Sequence, residues 1–192
     1  MAFSQNEIEN IIRTKETLKA LLTDDQYWLI YNKSIMSNCF VAGGIFASLL
    51  RQDKQFNDID VYFRDYNSRE AMLNVFSHIP TKPFSAVSTE KEKTSSSTKY
   101  AISFTNSRVS YIVKGDGFCG SPETIKKNFD FVHCLAHYCL KTDKLSISKD
   151  TYDACMNKWL ILNPASGFTK ETVNKYRLDK FLNSDYIWRN NA

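Results

Sequence analysis

Two aspartates one residue apart, Asp58 and Asp60, and two adjacent glycines, Gly43 and Gly44, are the residues of this 192-residue chain whose types and spacing point to chemistry. Carboxylates at alternate positions of a strand share one side, repel when both are ionised, and are best held together by a divalent cation. Hard oxygen donors favour magnesium or manganese. A glycine pair admits positive φ and leaves no side chain between the backbone and a ligand. When a helix follows, its unpaired N–H groups and its dipole face the same way, and an anion is the natural occupant. A metal-bound triphosphate suits both motifs at once, so together they read as a nucleotide-and-metal site. Alone, a diglycine is most often a turn and an Asp-x-Asp a solvated strand face; their order and spacing carry the reading.

The elements that must position these residues follow from apolar periodicity. Residues 39–41 have the grammar of a short buried strand, and residues 45–50 form an unbroken helix-compatible stretch. Ile59, Val61 and Phe63 alternate with Asp58, Asp60 and Tyr62, the period of a strand with one face in a core. Upstream, Ser4 and Glu7 make a capping box for a helix that carries Ile8, Ile11, Ile12, Leu18 and Leu22 on about one face. A second helix is expected from about Asp25, with Trp28, Leu29, Ile35 and Met36; both would cover the sheet. Downstream, the pattern predicts a helix from Asn67 or Ser68 to Ser77, and a polar, mobile loop over residues 88–98. A hairpin is expected around Asn106 and Ser107, a helix start at Ser121-Pro122-Glu123, and helices near residues 149–160 and 169–182.

At 43% hydrophobic, the chain can bury a sizeable core, expected as one domain over residues 1–140 with a helical C-terminal appendage over residues 141–192. No stretch approaches the roughly 20 apolar residues that span a bilayer, and no signal-peptide pattern is present, so a cytoplasmic protein with no membrane partner is expected. Five cysteines, odd in number and without a Cys-x-x-Cys pair, read as buried reduced thiols. A net charge of +4 and a pI near 8.7 ease the approach of a triphosphate or nucleic acid without identifying either. Lys170, Lys175, Arg177, Lys180 and Arg189 gather in the last quarter, but Glu171, Asp179 and Asp185 intervene, as in a solvated helix face. His133 and His137 stand four apart with no acidic ligand nearby, and packed, hydrogen-bonded roles suit them better than a shared metal.

The strand, diglycine, helix and Asp-x-Asp strand together resemble the DNA polymerase beta-type nucleotidyltransferase superfamily. The diglycine form is closest to bacterial-type CCA-adding enzymes and poly(A) polymerases. The resemblance implies an α/β (α+β) fold with a small mixed sheet flanked by helices. It also implies transfer of a nucleoside monophosphate from a nucleoside triphosphate to an acceptor hydroxyl on RNA, protein or a small molecule. Asp58 and Asp60 would be the catalytic metal ligands for Mg2+ or Mn2+. Gly43, Gly44 and Ser48 would hold the phosphates, with Lys114 approaching from the neighbouring strand end. Asp130, between Phe129 and Phe131, would support the pocket, unless it is simply paired to backbone or a lysine.

Two departures bear on activity. Phe46 and Ala47 stand where the tRNA-type enzymes carry an Arg-Asp pair, so a CCA-adding activity is not expected. Ser110 stands where many members carry a third carboxylate that serves as general base, with Asp116 in the following loop as the alternative. A narrower resemblance covers about residues 39–188. It rests on Tyr100 to Thr105, Gly120 to Ile125, Asn128 to Cys134, and the basic stretch through Lys175, Tyr176 and Arg177. It is to small nucleotidyltransferase-like proteins encoded by tailed bacteriophages. It implies a viral protein acting in the host cytoplasm or in the virion, with RNA or a host or virion protein as candidate partner. The departures keep a second function open, a binding or virion-associated module in which catalysis is lost.

Overall fold

Alternating and continuous apolar runs of the kind just described assemble into a seven-stranded mixed sheet in the computed structural model, which describes residues 2–24, 37–53, 56, 58–77, 84–87, 101–104, 108–112 and 116–189. The strands are β1 (Cys39–Ala42), β2 (Ile59–Phe63), β3 (Phe84–Val87), β4 (Ala101–Phe104), β5 (Val109–Ile112), β6 (His137–Cys139) and β7 (Lys144–Ser146), in the order β3-β4-β5-β2-β1-β6-β7. Only β2 and β5 run parallel; every other neighbouring pair is antiparallel. Helices α1 (Gln5–Asp24), α2 (Ile45–Arg51), α3 (Tyr66–Ser77), α4 (Pro122–Lys126), α5 (Lys149–Met156) and α6 (Lys175–Leu182) flank it. The mixed sheet with flanking helices is the expected class, and β4 and β5 form the expected antiparallel pair.

Both faces are covered, as continuous apolar strands such as Cys39–Ala42 require. On one face Val41, Ile59, Val61, Phe63 and Tyr111 pack against Leu18 and Leu22 of α1, Phe46 and Leu49 of α2 and Met72 of α3. On the other, Phe40, Ala42, Tyr62 and Ile112 pack against Ile125 of α4 and Phe129.

The capping box at the start of α1 forms: the Ser4 N–H donates to Glu7 Oε2 at 2.8 Å and the Glu7 N–H to Ser4 Oγ at 3.4 Å. The buried stripe keeps Leu18 and Leu22 of the expected one, with Ile11 partly buried, but departs from it in the first half of the helix. Asn10, Thr14, Leu18 and Leu22 face inward, while Ile8 and Ile12 are 41% and 54% exposed. Hydrogen bonds set this rotation, because Asn10 Nδ2 donates to the Leu50 carbonyl at 3.3 Å and to the Tyr152 hydroxyl at 3.0 Å.

The expected helix over 149–160 stops at Met156, since Lys158 takes φ +52° and Trp159–Leu160 then forms β8, paired in parallel with β9 (Ile187–Trp188). The helix expected from 169 begins only at Lys175. Thr169 and Thr172 exchange side-chain and backbone hydrogen bonds in a turn instead, and Asn174 caps α6 by accepting from the Arg177 N–H. The chain beyond residue 140 is thus helical in α5 and α6 but also adds β7 to the main sheet. All five cysteines are buried and none forms a disulfide. No helix among the described residues is long and apolar enough to cross a membrane. The helix expected from Asp25, the polar segment 88–98, the turn at Asn106 and Ser107, and Lys114 lie outside the described residues.

Candidate nucleotide site

β1 ends in a turn that only glycine enters easily, since Gly43 has φ +102°. Gly44, at φ −67°, begins α2, and its carbonyl accepts from the Ala47 N–H at 3.2 Å. Cys39, Phe40 and Val41 stand opposite Phe63, Tyr62 and Val61; continued by one step, this register sets Ala42 against Asp60. A Cβ on Gly43 would lie 3.6 Å from Asp60 Oδ2, whereas one on Gly44 would meet nothing within 4 Å. The turn therefore backs onto the Asp60 carboxylate and opens outward at Gly44. Along α2, Ile45, Phe46, Ala47, Leu49 and Leu50 are buried, while Ser48 is half-buried one helical turn beyond Gly44 and so on its side. Asp58 is exposed just before β2, Asp60 is half-buried within it, and strand alternation gives them one side. Phe46 and Ala47, where the tRNA-type pair would stand, are core residues.

The parallel register of β2 and β5 sets Ser110 directly beside Asp60. The 3-10 turn Asp116–Phe118 leads into Cys119, which bridges to Phe63 at the opposite end of β2. Tyr62 follows Asp60 on the same face, and burial pushes its hydroxyl well above the usual tyrosine range, with the Asp60 charge adding to the shift.

Asp130 is 6% exposed and holds Arg177 of α6 in a two-pronged pair, Nε to Oδ2 at 2.6 Å and Nη2 to Oδ1 at 2.9 Å. Its partner is an arginine, not the backbone or lysine expected, and Arg177 is not part of a purely solvated face. Asn163 fixes the same segment: its Nδ2 donates to the Lys126 and Phe129 carbonyls, both at 2.8 Å, and its N–H to the Asp130 carbonyl at 2.8 Å. The sequence signal was an aspartate flanked by aromatics with a basic helix downstream, but their pairing spans 47 residues.

The two histidines do not meet. His133, in a 3-10 turn, lies between the rings of Phe131, Phe181 and Tyr186 at 5.7, 4.6 and 4.8 Å. Neither of its ring nitrogens has a hydrogen-bond partner among the described residues, and burial pushes it down to about 3. The expected hydrogen-bonded role is therefore met in packing only. His137 is on β6, against Phe40.

Among the described residues no three metal-ligating side chains converge. Two carboxylates on one side are nevertheless what Mg2+ takes when substrate phosphates and water complete its shell, so the donor set fits that ion in the company of a nucleotide.

Residues 9–158 match the profile of the Gabija anti-defense 2 (Gad2) family. The chain belongs to that family. A curated Gabija anti-defense 2 protein of Bacillus phage SPbetaL7 is 24% identical over 156 residues, which are 78% of this chain and 34% of the relative. The chain thus spans about a third of the length of that relative. It is also similar in structure to a Thermotoga maritima CCA-adding enzyme complexed with tRNA, with TM-score 0.48, 14% identity, and coverage of 89% of this chain and 42% of that one. A tRNA-processing enzyme with CTP gives TM-score 0.41, 12% identity, and coverage of 67% and 33%. The Gabija anti-defense 2 match takes in the diglycine turn, Asp58, Asp60, Asp130 and His137; Arg177 lies beyond it.

Proposed function

We propose that this protein is a metal-dependent nucleotidyltransferase that a phage directs against the Gabija defence. It would move a nucleoside monophosphate from a nucleoside triphosphate to an acceptor hydroxyl on RNA, protein or a small molecule of that defence. The observation that carries the reading is the closeness of the Gly43 turn to the Asp60 carboxylate, whose Oδ2 would stand 3.6 Å from a Cβ on Gly43; it joins an anion-accepting turn to a metal-accepting strand. Asp58 and Asp60 hold the ion, with Mg2+ the best match; when bound, it neutralises charge on the triphosphate during an in-line displacement. The backbone at Gly43 and Gly44 lies against the phosphates and the Ser48 hydroxyl donates to them; Lys114, outside the described residues, is carried over from the sequence only, as a further phosphate contact from the neighbouring strand end. The acceptor oxygen attacks the α-phosphorus and gives up its proton to solvent, the bond from the α-phosphorus to the bridging oxygen of the β-phosphate breaks, and pyrophosphate leaves. Asp130, through Arg177, keeps α6 beside the Tyr62 face.

A second reading, a binding module without turnover, is favoured by one observation: Ser110, not a carboxylate, stands beside Asp60. Calorimetric titration of the four ribonucleoside triphosphates, with and without magnesium, separates the two when joined to phage infection of Gabija-bearing cells. The enzymatic reading expects magnesium-dependent binding that Asp58→Ala and Asp60→Ala both lose, together with loss of protection for the phage. Protection retained by Asp60→Ala, with no nucleotide bound by the wild type, establishes the binding module instead.

A further inference from the structure

His137 stands where the site continues past the diglycine turn. Pairing of β6 with β1 sets it opposite Ala42, the residue before Gly43, and opposed side chains of an antiparallel pair share a face. The continued β1–β2 register sets Asp60 on the other flank of Ala42, and β5 adds Ser110. His137, Ala42, Asp60 and Ser110 therefore form one row across four strands at the end where the turn lies. Two inter-strand steps, roughly 10 Å, separate His137 from Asp60, with β1 and its turn between them.

The imidazole is 7% exposed, yet its Nδ1 has no hydrogen-bond partner among the described residues. The charged groups that act on it are Lys126 and Glu123 of α4, Arg64 just after β2, and Lys144 of β7, three cations against one carboxylate. Lys126 is half-buried and makes no ion pair among the described residues. A neutral ring under an excess of positive charge, beside a phosphate-sized turn, is a place prepared for an anion.

We propose that His137 and Lys126 are further contacts for the β- and γ-phosphates of the donor nucleoside triphosphate, and that His137 takes up a proton as the triphosphate binds. This rests on the nucleotidyltransferase reading of the site. Without nucleotide, burial first and Lys126 next hold the imidazole neutral, pushed down to about 4. A polyanion reverses the sign of the local field and favours the imidazolium. The proton comes from solvent, and affinity falls as pH rises through the bound-state pKa.

The test titrates magnesium tripolyphosphate and magnesium ATP into the full chain near neutral pH, in two buffers of different ionisation enthalpy. Net proton uptake is expected for the wild type and not for His137→Gln, whose affinity should drop on the order of tenfold for one lost charge-assisted hydrogen bond. Lys126→Ala should weaken binding while proton uptake persists. The chain has three histidines, so the imidazole NMR signals of the wild type can be followed separately, and that of His137 should move to its protonated position on addition of magnesium tripolyphosphate. Binding without proton uptake, or with the same uptake in His137→Gln, overturns the role of His137 and leaves the donor site standing. Failure of the wild type to bind either ligand overturns both.

Discussion

The two faces of the central sheet bury different things. The face against α1, α2 and α3 is a cluster of aliphatic and aromatic side chains without a charged member. The opposite face carries Asp60, Ser110 and His137 in one row beside Phe40 and Tyr62. A five-residue strand with period two lets β2 serve both, Ile59, Val61 and Phe63 on one side and Asp60 and Tyr62 on the other. Both faces hold apolar core, but the candidate chemistry lies on one of them only. A core substitution on the opposite face should therefore move stability, and a substitution of an exposed site carboxylate should move ligand binding and spare stability.

The largest expected effect tests the apolar face. Phe46 is fully buried on α2, and Phe46→Ala should cost about 3–5 kcal/mol, the range for truncating a core aromatic. Urea denaturation followed by circular dichroism measures it as a lower midpoint with an unchanged slope. Asp58→Ala, at an exposed position, should stay within about 0.5 kcal/mol of wild type in the same experiment. Equal losses for the two would mean that the division between faces does not hold.

His133 is a buried polar group away from the row of the site, and it predicts a pH dependence. In the folded chain it is pushed down to about 3, chiefly by burial, with Arg177 and Arg51 adding to it, against about 6.5 when unfolded. Between those values the unfolded chain binds the proton and the folded chain does not. Stability is therefore whole above about pH 6.5 and is lost as pH falls towards 3, by about 2 kcal/mol between pH 7 and pH 5 from this residue. His133→Phe suits the aromatic cage and should remove that share of the acid loss. His137, depressed to about 4, keeps some acid sensitivity in the variant. Melting temperatures of the two proteins at pH 7 and pH 5 decide the matter: an identical pH slope would show that His133 is not buried neutral.

What could be read from the chain alone divides by sequence distance. Strand, turn, helix and strand from Cys39 to Phe63 lie within one short segment whose periodicities are strong and mutually consistent, and they form as expected. The closeness of the Gly43 turn to Asp60 follows from a register set by a nearby antiparallel pair. Asp130 and Arg177 meet because of packing among α4, α6 and the segment around Asn163, which no local pattern encodes. The same limit explains α1. Its isoleucines advertise an apolar stripe, but two hydrogen bonds from Asn10 to distant partners turn the helix so that Ile8 and Ile12 face outward. His137 reads from the chain only as the neighbour of His133, for a related reason, since only strand pairing reveals that it stands beside the turn.

A small expected change in stability is also the sharpest probe of the site, because the two glycines of the turn serve different ends. Gly43 is needed by the fold: at φ +102° an alanine is strained by about 1–3 kcal/mol whatever the space around it. Gly44 has an ordinary φ of −67° and open space where a Cβ would project, so Gly44→Ala should cost under about 1 kcal/mol. Nothing in the unliganded protein demands glycine there. If the triphosphate lies against this backbone, the added methyl group occupies the volume of a phosphate oxygen, and affinity for magnesium ATP should fall on the order of tenfold or more. A Gly44→Ala protein that folds like wild type and loses nucleotide binding puts the phosphates at the mouth of the turn. One that folds and binds like wild type moves them elsewhere, and Gly44 would then be a helix start and nothing more.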